Sequence, residues 1–417
     1  MSVTSGSLRA FRQRDFRWMF SGALLSTGMQ WLQGTALGWL TYHLTGSGTL
    51  VGLVIGVRAV PIVLLSPLSG VVADRYDRRR TLALTQVFVA LPAFFVSAAL
   101  VLEAVATWQL FVFMIASGIT ATFDRTLRNS LVFDILPRED LANGLAYTNM
   151  AFSVSRAFGP PVAGALIALT GPAWCFAIQG LLALGVTASV LCVQPRATRP
   201  KPAQRSSAWT EMKTGLGFAL GHPVIRMMLM LNALTGTLLI ATFSALLPIF
   251  AADIFRVGAV GLGIMMGSAG LGSVAGSVIA ASNHRVDRIG LMQTAAMVVF
   301  SAALIGFACV PPFPLALLML GIAGAAEIVL ITSISTITQL SAPEAMRGRI
   351  TALLPLFPAF ISVGSFLAGI CSDFLGPSVT SVLFSASAAV IVLTAWVRSP
   401  ALRELRLSTL VERRVQE

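Results

Sequence analysis

Charge is scarce in this chain: 11% of its 417 residues are Asp, Glu, Lys or Arg, against 56% hydrophobic residues. A soluble domain is about a quarter charged, so the natural solvent for this chain is a lipid bilayer. The mean hydropathy of +0.83 agrees. Histidine and cysteine are rarer still, at 3 and 4 residues. His43, His222 and His284 sit on separate segments, and Cys175, Cys192, Cys309 and Cys371 form no CxxC pair. Neither a metal site nor a disulfide framework is expected, and the cysteines read as small apolar filler. There is no GxxxxGK[ST] loop, no HExxH and no GxSxG, so nothing points to direct ATP use or to a hydrolase, and no cofactor is implied.

Acidic residues number 17 against 29 basic ones, a net charge of +12. Such an excess can mark a nucleic-acid binder, but here its placement argues for membrane topology. The basic residues gather at Arg9 to Arg17, Arg75 to Arg80, Arg138, the 194–226 region, Arg285 and Arg288, Arg347 and Arg349, and the tail from Arg398. The alternate loops hold Arg256 alone. Both termini are therefore expected on the cytoplasmic side, with an even number of spans. No nucleic-acid partner is expected.

A spanning helix takes about 20 mostly apolar residues. Twelve such segments fit, near 17–41, 50–73, 81–102, 108–133, 143–169, 174–193, 224–250, 258–281, 289–308, 315–339, 350–374 and 379–397. The first is too long for a cleavable signal and reads as a span in its own right.

An internal repeat organises these segments. Gly159-x3-Ala163-Gly164-x6-Gly171-Pro172 recurs as Gly364-x3-Ala368-Gly369-x6-Gly376-Pro377, an offset of 205. Leu136-Pro137-Arg138-Glu139 and Ala342-Pro343-Glu344 lie upstream at a similar offset. An even-numbered half repeated in one orientation implies two parallel six-helix bundles. The expected organisation is a first bundle over 1–193, a cytoplasmic linker over 194–223, a second bundle over 224–398 and a tail over 399–417. Within the linker, Trp209 to Leu220 reads either as a short amphipathic surface helix or as a plain tether. The glycines at 261, 263, 267, 270, 272 and 276 read as a helix-packing stripe.

Ionisable groups inside a bilayer are costly and are functional candidates by default. Counting from the span ends, Arg58, Arg156 and Glu327 fall well inside, with Asp124 and Arg125 in one half of the fourth span. Arg156 with Asp124, and Arg58 or Arg156 with Glu327, are the candidate pairings. A carboxylate in a low-dielectric cavity near an arginine is poised to take up or release a proton. Glu327 is the first candidate for that role and Asp124 the second; fixed ion pairs that set helix register are the alternative. Asn149, Ser153, Arg156 and Pro160 share one face of the fifth span. Gln30 and Gln33, close to Trp31 and Trp39, are candidates either for lining a substrate cavity or for interhelical hydrogen bonds.

The loop Gly70-x3-Asp74-Arg75-x2-Arg78-Arg79 resembles the signature between the second and third helices of major facilitator superfamily transporters. The resemblance implies an all-α integral membrane protein in which this loop is a conformational latch. Gly70 would then permit close helix approach, and Asp74 would face the start of the eleventh helix. Its arginines are candidate partners for Asp74, Asp134 or lipid phosphate. The second-half counterpart after Gly276 carries Ala280 where Asp74 maps, so that copy is degenerate. Arg156-x2-Gly159-Pro160-x2-Ala163-Gly164 resembles the fifth-helix motif of drug:proton antiporters, with Thr148, Ser155 and Ala163 replacing glycines of the full pattern.

With Leu44-Thr45-Gly46-Ser47, Pro61, Leu136 to Asn143 and Pro343-Glu344-x2-Arg347-Gly348-Arg349, the chain is similar to the enterobactin-exporter-like branch of those antiporters. The branch implies a proton-coupled exporter of a small amphipathic compound, drug or siderophore-like, in the bacterial cytoplasmic membrane. Alternating access would couple protons and substrate through one conformational equilibrium. The implied partners are small-molecule substrate, protons and membrane lipid, and a monomer suffices. A lipid flippase and an importer of the same fold are the alternatives. A membrane enzyme lacks any convergent set of catalytic groups.

Overall fold

In the computed structural model the described residues are 9–137, 139–194, 208–282, 287–343, 346, 350 and 357–408. Every regular element among them is helical. After a turn of 3-10 helix at Ala10–Arg12 come α1 (Arg14–Thr45), α2 (Gly48–Val57), α3 (Ala59–Arg75), α4 (Arg78–Val101), α5 (Thr107–Ile135), α6 (Leu141–Thr170) and α7 (Pro172–Leu191). They are followed by α8 (Ala208–Gly221), α9 (Pro223–Leu234), α10 (Ala241–Ile249), α11 (Gly258–Ser282), α12 (Ile289–Cys309) and α13 (Phe313–Leu340). The last are α14 (Phe357–Leu375), α15 (Pro377–Arg398) and the short α16 (Pro400–Arg403).

Eleven helices among the described residues are long and apolar enough to cross a membrane. The second is Gly48–Ala73, continuous through α2 and α3, and the sixth is Pro223–Ile254, continuous through α9 and α10. The first helix, α1, has 32 residues, enough length to cross. It is not among the eleven because Gln30, Gln33 and several Ser, Thr and Gly residues dilute its apolar character. Most of the expected start of the span at 350–374 lies outside the described residues. The surface segment does form a helix, α8, whose buried Ala219 packs with Ile225, Ala342 and Ile350. The tether reading is thereby corrected over 208–221.

Local chemistry explains the helix starts. Gly171 and Gly376 have φ of +85° and +82°, a region that favours glycine. Each precedes a proline in the first turn of a helix, α7 and α15, where a missing N–H costs nothing. The two ends of the repeat are thus the same turn. Asp77 starts α4 by accepting from the Arg80 N–H at 2.9 Å. Two π-helical turns, Thr235–Ile240 and Phe250–Ile254, flank α10.

The chain divides into two compact units, Met1–Leu44 with Val57–Arg205, and Thr45–Gly56 with Ser206–Glu417. In the first, α4 packs on α7 and α5, and α3 on α5. Its core holds Phe16, Leu82, Leu127, Leu131, Val186 and Val190. In the second, α11 lies against α13, and α12 against α13 and α15, around Met297, Phe300, Leu304, Leu330 and Val392. Gly272 faces the Gly321 carbonyl, Gly324 faces that of Ala269, and Gly276 that of Ala325. The glycine stripe is therefore a close helix interface at these positions, as small residues allow in lipid.

Candidate functional site

The first unit contains a small cavity, with room for about one water, lined among others by Gln30, Gln33, Arg58, Gln86, Ser117 and Asp124. Asp124 is buried, 7% exposed. It accepts from Arg128 Nη2 at 2.6 Å and Nε at 3.2 Å, and from Gln86 Nε2 at 2.8 Å. Arg128, 6% exposed, is one helical turn further along α5. The pairing of Asp124 with Arg156 expected from the sequence is thus corrected: the i,i+4 neighbour on the same helix reaches the carboxylate first. Arg125, the adjacent cation, is exposed.

Arg58 marks the junction of α2 and α3, with helical φ of −56° and ψ of −33°. Gly118 of α5 fits against its backbone carbonyl and Pro61. That close approach sets the guanidinium at the cavity. Its Nε makes no hydrogen bond among the described residues.

Gln33 is 3% exposed and sits in a polar knot. Its Nε2 donates to Ser117 Oγ at 2.8 Å, and its Oε1 accepts from Gln179 Nε2 at 3.0 Å. It therefore ties α1, α5 and α7 together by interhelical hydrogen bonds, and its side chain also borders the cavity. Gln30 is half-buried on the same wall.

On α6, Arg156 is 7% exposed, with its guanidinium carbon 5.6 Å from the Trp31 ring centroid. Gly159 admits Trp31 of α1, and Ser155 and Thr27 share a hydrogen bond of 2.9 Å. Pro160 and Gly164 are buried within α6, which runs through Pro160 and Pro161. Asn149 is exposed, and its carbonyl accepts from Ser153 Oγ.

In the basic loop Arg78 makes a forked contact with Asp134 of α5, at 2.7 and 3.0 Å, and donates from Nε to the Ala73 carbonyl. Arg79 donates to the Val193 carbonyl at 2.9 Å, tying the loop to the chain after α7. Arg75 is exposed. The Asp74 side chain lies outside the described residues. Gly70 is exposed, and an added Cβ would meet nothing within 4 Å. The close approach expected there is absent from this conformation among the described residues.

The second unit holds an arrangement that the sequence reading missed. Asp373, near the end of α14, accepts from Gly48 N–H at 2.7 Å, Thr49 N–H at 3.0 Å and Ser47 Oγ at 2.8 Å. It caps α2 from 325 residues away. Below the cap, Gly52 meets the Ser365 backbone, Gly56 the Ser362 carbonyl, and Gly48 meets Gly369. The spacing Gly48-x3-Gly52-x3-Gly56 carried that signal in the sequence. Glu327 is buried on α13, 7% exposed.

Solved membrane transporters share this fold. The nucleoside transporter NupG covers 90% of this chain and 98% of its own, with a TM-score of 0.71 at 15% identity. A bacterial homologue of the human lysosomal transporter Spinster covers 94% and 96%, also at 0.71 and 15%. These solved structures give the fold, and the family model that matches the chain makes it a major facilitator superfamily transporter, a multi-pass protein of the cell membrane and not an enzyme.

Within that class the chain belongs to the transmembrane secretion effector family, whose model matches residues 5–414. The staphyloferrin A transporter of Staphylococcus aureus is 22% identical over 373 residues, 86% of this chain and 90% of that protein. The enterobactin exporter EntS of Shigella boydii is 24% identical over 330 residues, covering 79% and 74%. By their names, these relatives transport staphyloferrin A and export enterobactin.

Proposed function

We propose that this chain is a proton-coupled exporter of a small amphipathic, siderophore-like compound. Alternating access would run between two six-helix halves, 1–193 and 224–398, joined by the 194–223 linker, with both termini and the 399–417 tail cytoplasmic. The observation that carries the reading is the buried Asp124 on the wall of a polar cavity, held by Arg128 and Gln86. A carboxylate poised between an arginine and a neutral amide can exchange a proton when either neighbour moves. Glu327, the first candidate from the sequence and equally buried on α13, is the other coupling group. The loop from Gly70 through Asp74, Arg75, Arg78 and Arg79, and the Gly159-Pro160-x3-Gly164 segment, would switch the two states.

The test uses proteoliposomes that are acid inside, offered iron-free enterobactin, staphyloferrin A and ethidium outside. Antiport predicts accumulation of at least one compound against its gradient, abolished when a protonophore collapses the pH difference. Equal equilibration with and without the pH difference would contradict proton coupling.

A further inference from the structure

The second span, Gly48–Ala73, is divided between the two compact units: as far as Gly56 it belongs to the second, and from Val57 onward to the first. The sequence weakens the helix at that same place. Pro61 has no N–H to donate to the Val57 carbonyl four residues back, and α2 meets α3 there. Beyond the junction, Gly118 of α5 fits against the Arg58 carbonyl and Pro61, and α3 packs on α5. Before it, α2 is held on α14. Asp373 accepts from Ser47 Oγ and from the Gly48 and Thr49 N–H groups, and Gly52 and Gly369 bring the two helices together backbone to backbone. Such a contact can part cleanly, since no side chain interlocks at those two glycines and water can take over N–H groups at the start of a helix. Ser47 Oγ also accepts from the Leu50 N–H at 3.3 Å, a cap within α2 itself that does not depend on Asp373. At the far end of the same span Gly70 has open space around it.

We infer that Asp373 and the Ser47–Thr49 turn form a clasp that holds α2 on α14, and that α2 swings as a rigid arm about Val57 and Arg58 when the clasp opens. The arm has 10 residues. At 1.5 Å per residue it is ~15 Å long, and a bend of ~20° at the proline-weakened junction moves its tip by ~5 Å. A clasp of the strength of one helix cap biases the closed position about tenfold and is still weak enough to open in every cycle. The inference rests on the exporter reading for one point, that this end of α2 lies on the outer face and its release opens the way out for substrate. The arm and its clasp do not depend on it.

Double electron–electron resonance on the full-length protein in nanodiscs, without any gradient, measures the position of the arm. The four native cysteines are replaced with alanine, and spin labels are attached to Leu50→Cys on the arm and Val379→Cys at the exposed start of α15. The closed arm gives the shorter distance and the released arm one longer by ~5 Å. Asp373→Ala should raise the ratio of long to short about tenfold. Asp373→Asn, which keeps one accepting oxygen, should raise it less and guards against a folding defect in the first variant. Hydrogen exchange on the same samples separates a clasp from a cap that only holds the first turn. Faster exchange at the Gly48 and Thr49 amides with the label distances unmoved would overturn the clasp, as would distances and exchange both unchanged in Asp373→Ala. Release of the arm in Asp373→Ala, in a protein whose wild type shows no pH-driven transport, would leave the clasp standing and refute the exporter reading instead.

Discussion

Replacing Arg128 with leucine leaves Asp124 buried with Gln86 Nε2 as its remaining partner, at 2.8 Å. The two lost contacts, at 2.6 and 3.2 Å, are charge-assisted, and both residues are under 10% exposed. Removing one partner of such a pair costs about 3–5 kcal/mol, mostly the penalty of the stranded charge. Asp124→Asn removes that charge, so the double variant Asp124→Asn/Arg128→Leu should recover much of the loss, leaving a coupling energy of about 2 kcal/mol or more. Equilibrium unfolding of the four proteins in mixed detergent micelles measures the cycle. Additive losses within about 0.5 kcal/mol would show that the pair does not act as a unit and would refute the reasoning.

Three further outcomes follow from the second unit. Gly52→Val places carbon against the Ser365 backbone and should destabilise the protein by about 1–3 kcal/mol, whereas Gly28→Val, with open space around it, should change thermal unfolding little. Asp373→Ala removes the cap of α2 and should cost about 1–2 kcal/mol, read as faster hydrogen exchange at the amides of Gly48 and Thr49; unchanged exchange there would contradict the cap. Hydrogen bonding from Ser408, and more weakly the nearby Arg406 and Arg288, hold the Asp287 carboxyl below its usual value. A depressed carboxylate pKa stabilises above the unfolded value of about 3.9 and loses that contribution as pH falls through the folded value. Protease cleavage after Arg406 should therefore speed up below about pH 4 in the wild type and be insensitive to pH in Asp287→Asn.

Periodicity and punctuation made the helices legible. The Gly-Pro pairs at 171–172 and 376–377 act by local backbone geometry, so their meaning is contained in the residues themselves. Arg78 with Asp134 was within reach because one loop offers few acidic partners. The partner of Asp124 was legible too, through the i,i+4 rule, but Arg128 was hidden among three neighbouring charges on α5. Gln86 and the cap by Asp373 were not legible, because nothing local to α4 or α14 says which distant helix will lie against it. Gly70 shows the converse: its motif was plain, yet the close contact expected of it is not made in this conformation among the described residues.

Proton movement tests the central claim most directly. A pH-sensitive dye inside proteoliposomes would follow proton flux on addition of enterobactin or staphyloferrin A, comparing wild type with Glu327→Gln and Asp124→Asn. Coupled export predicts substrate-dependent flux in the wild type and its loss in at least one variant that still binds substrate. Substrate movement without proton flux in all three proteins would contradict it.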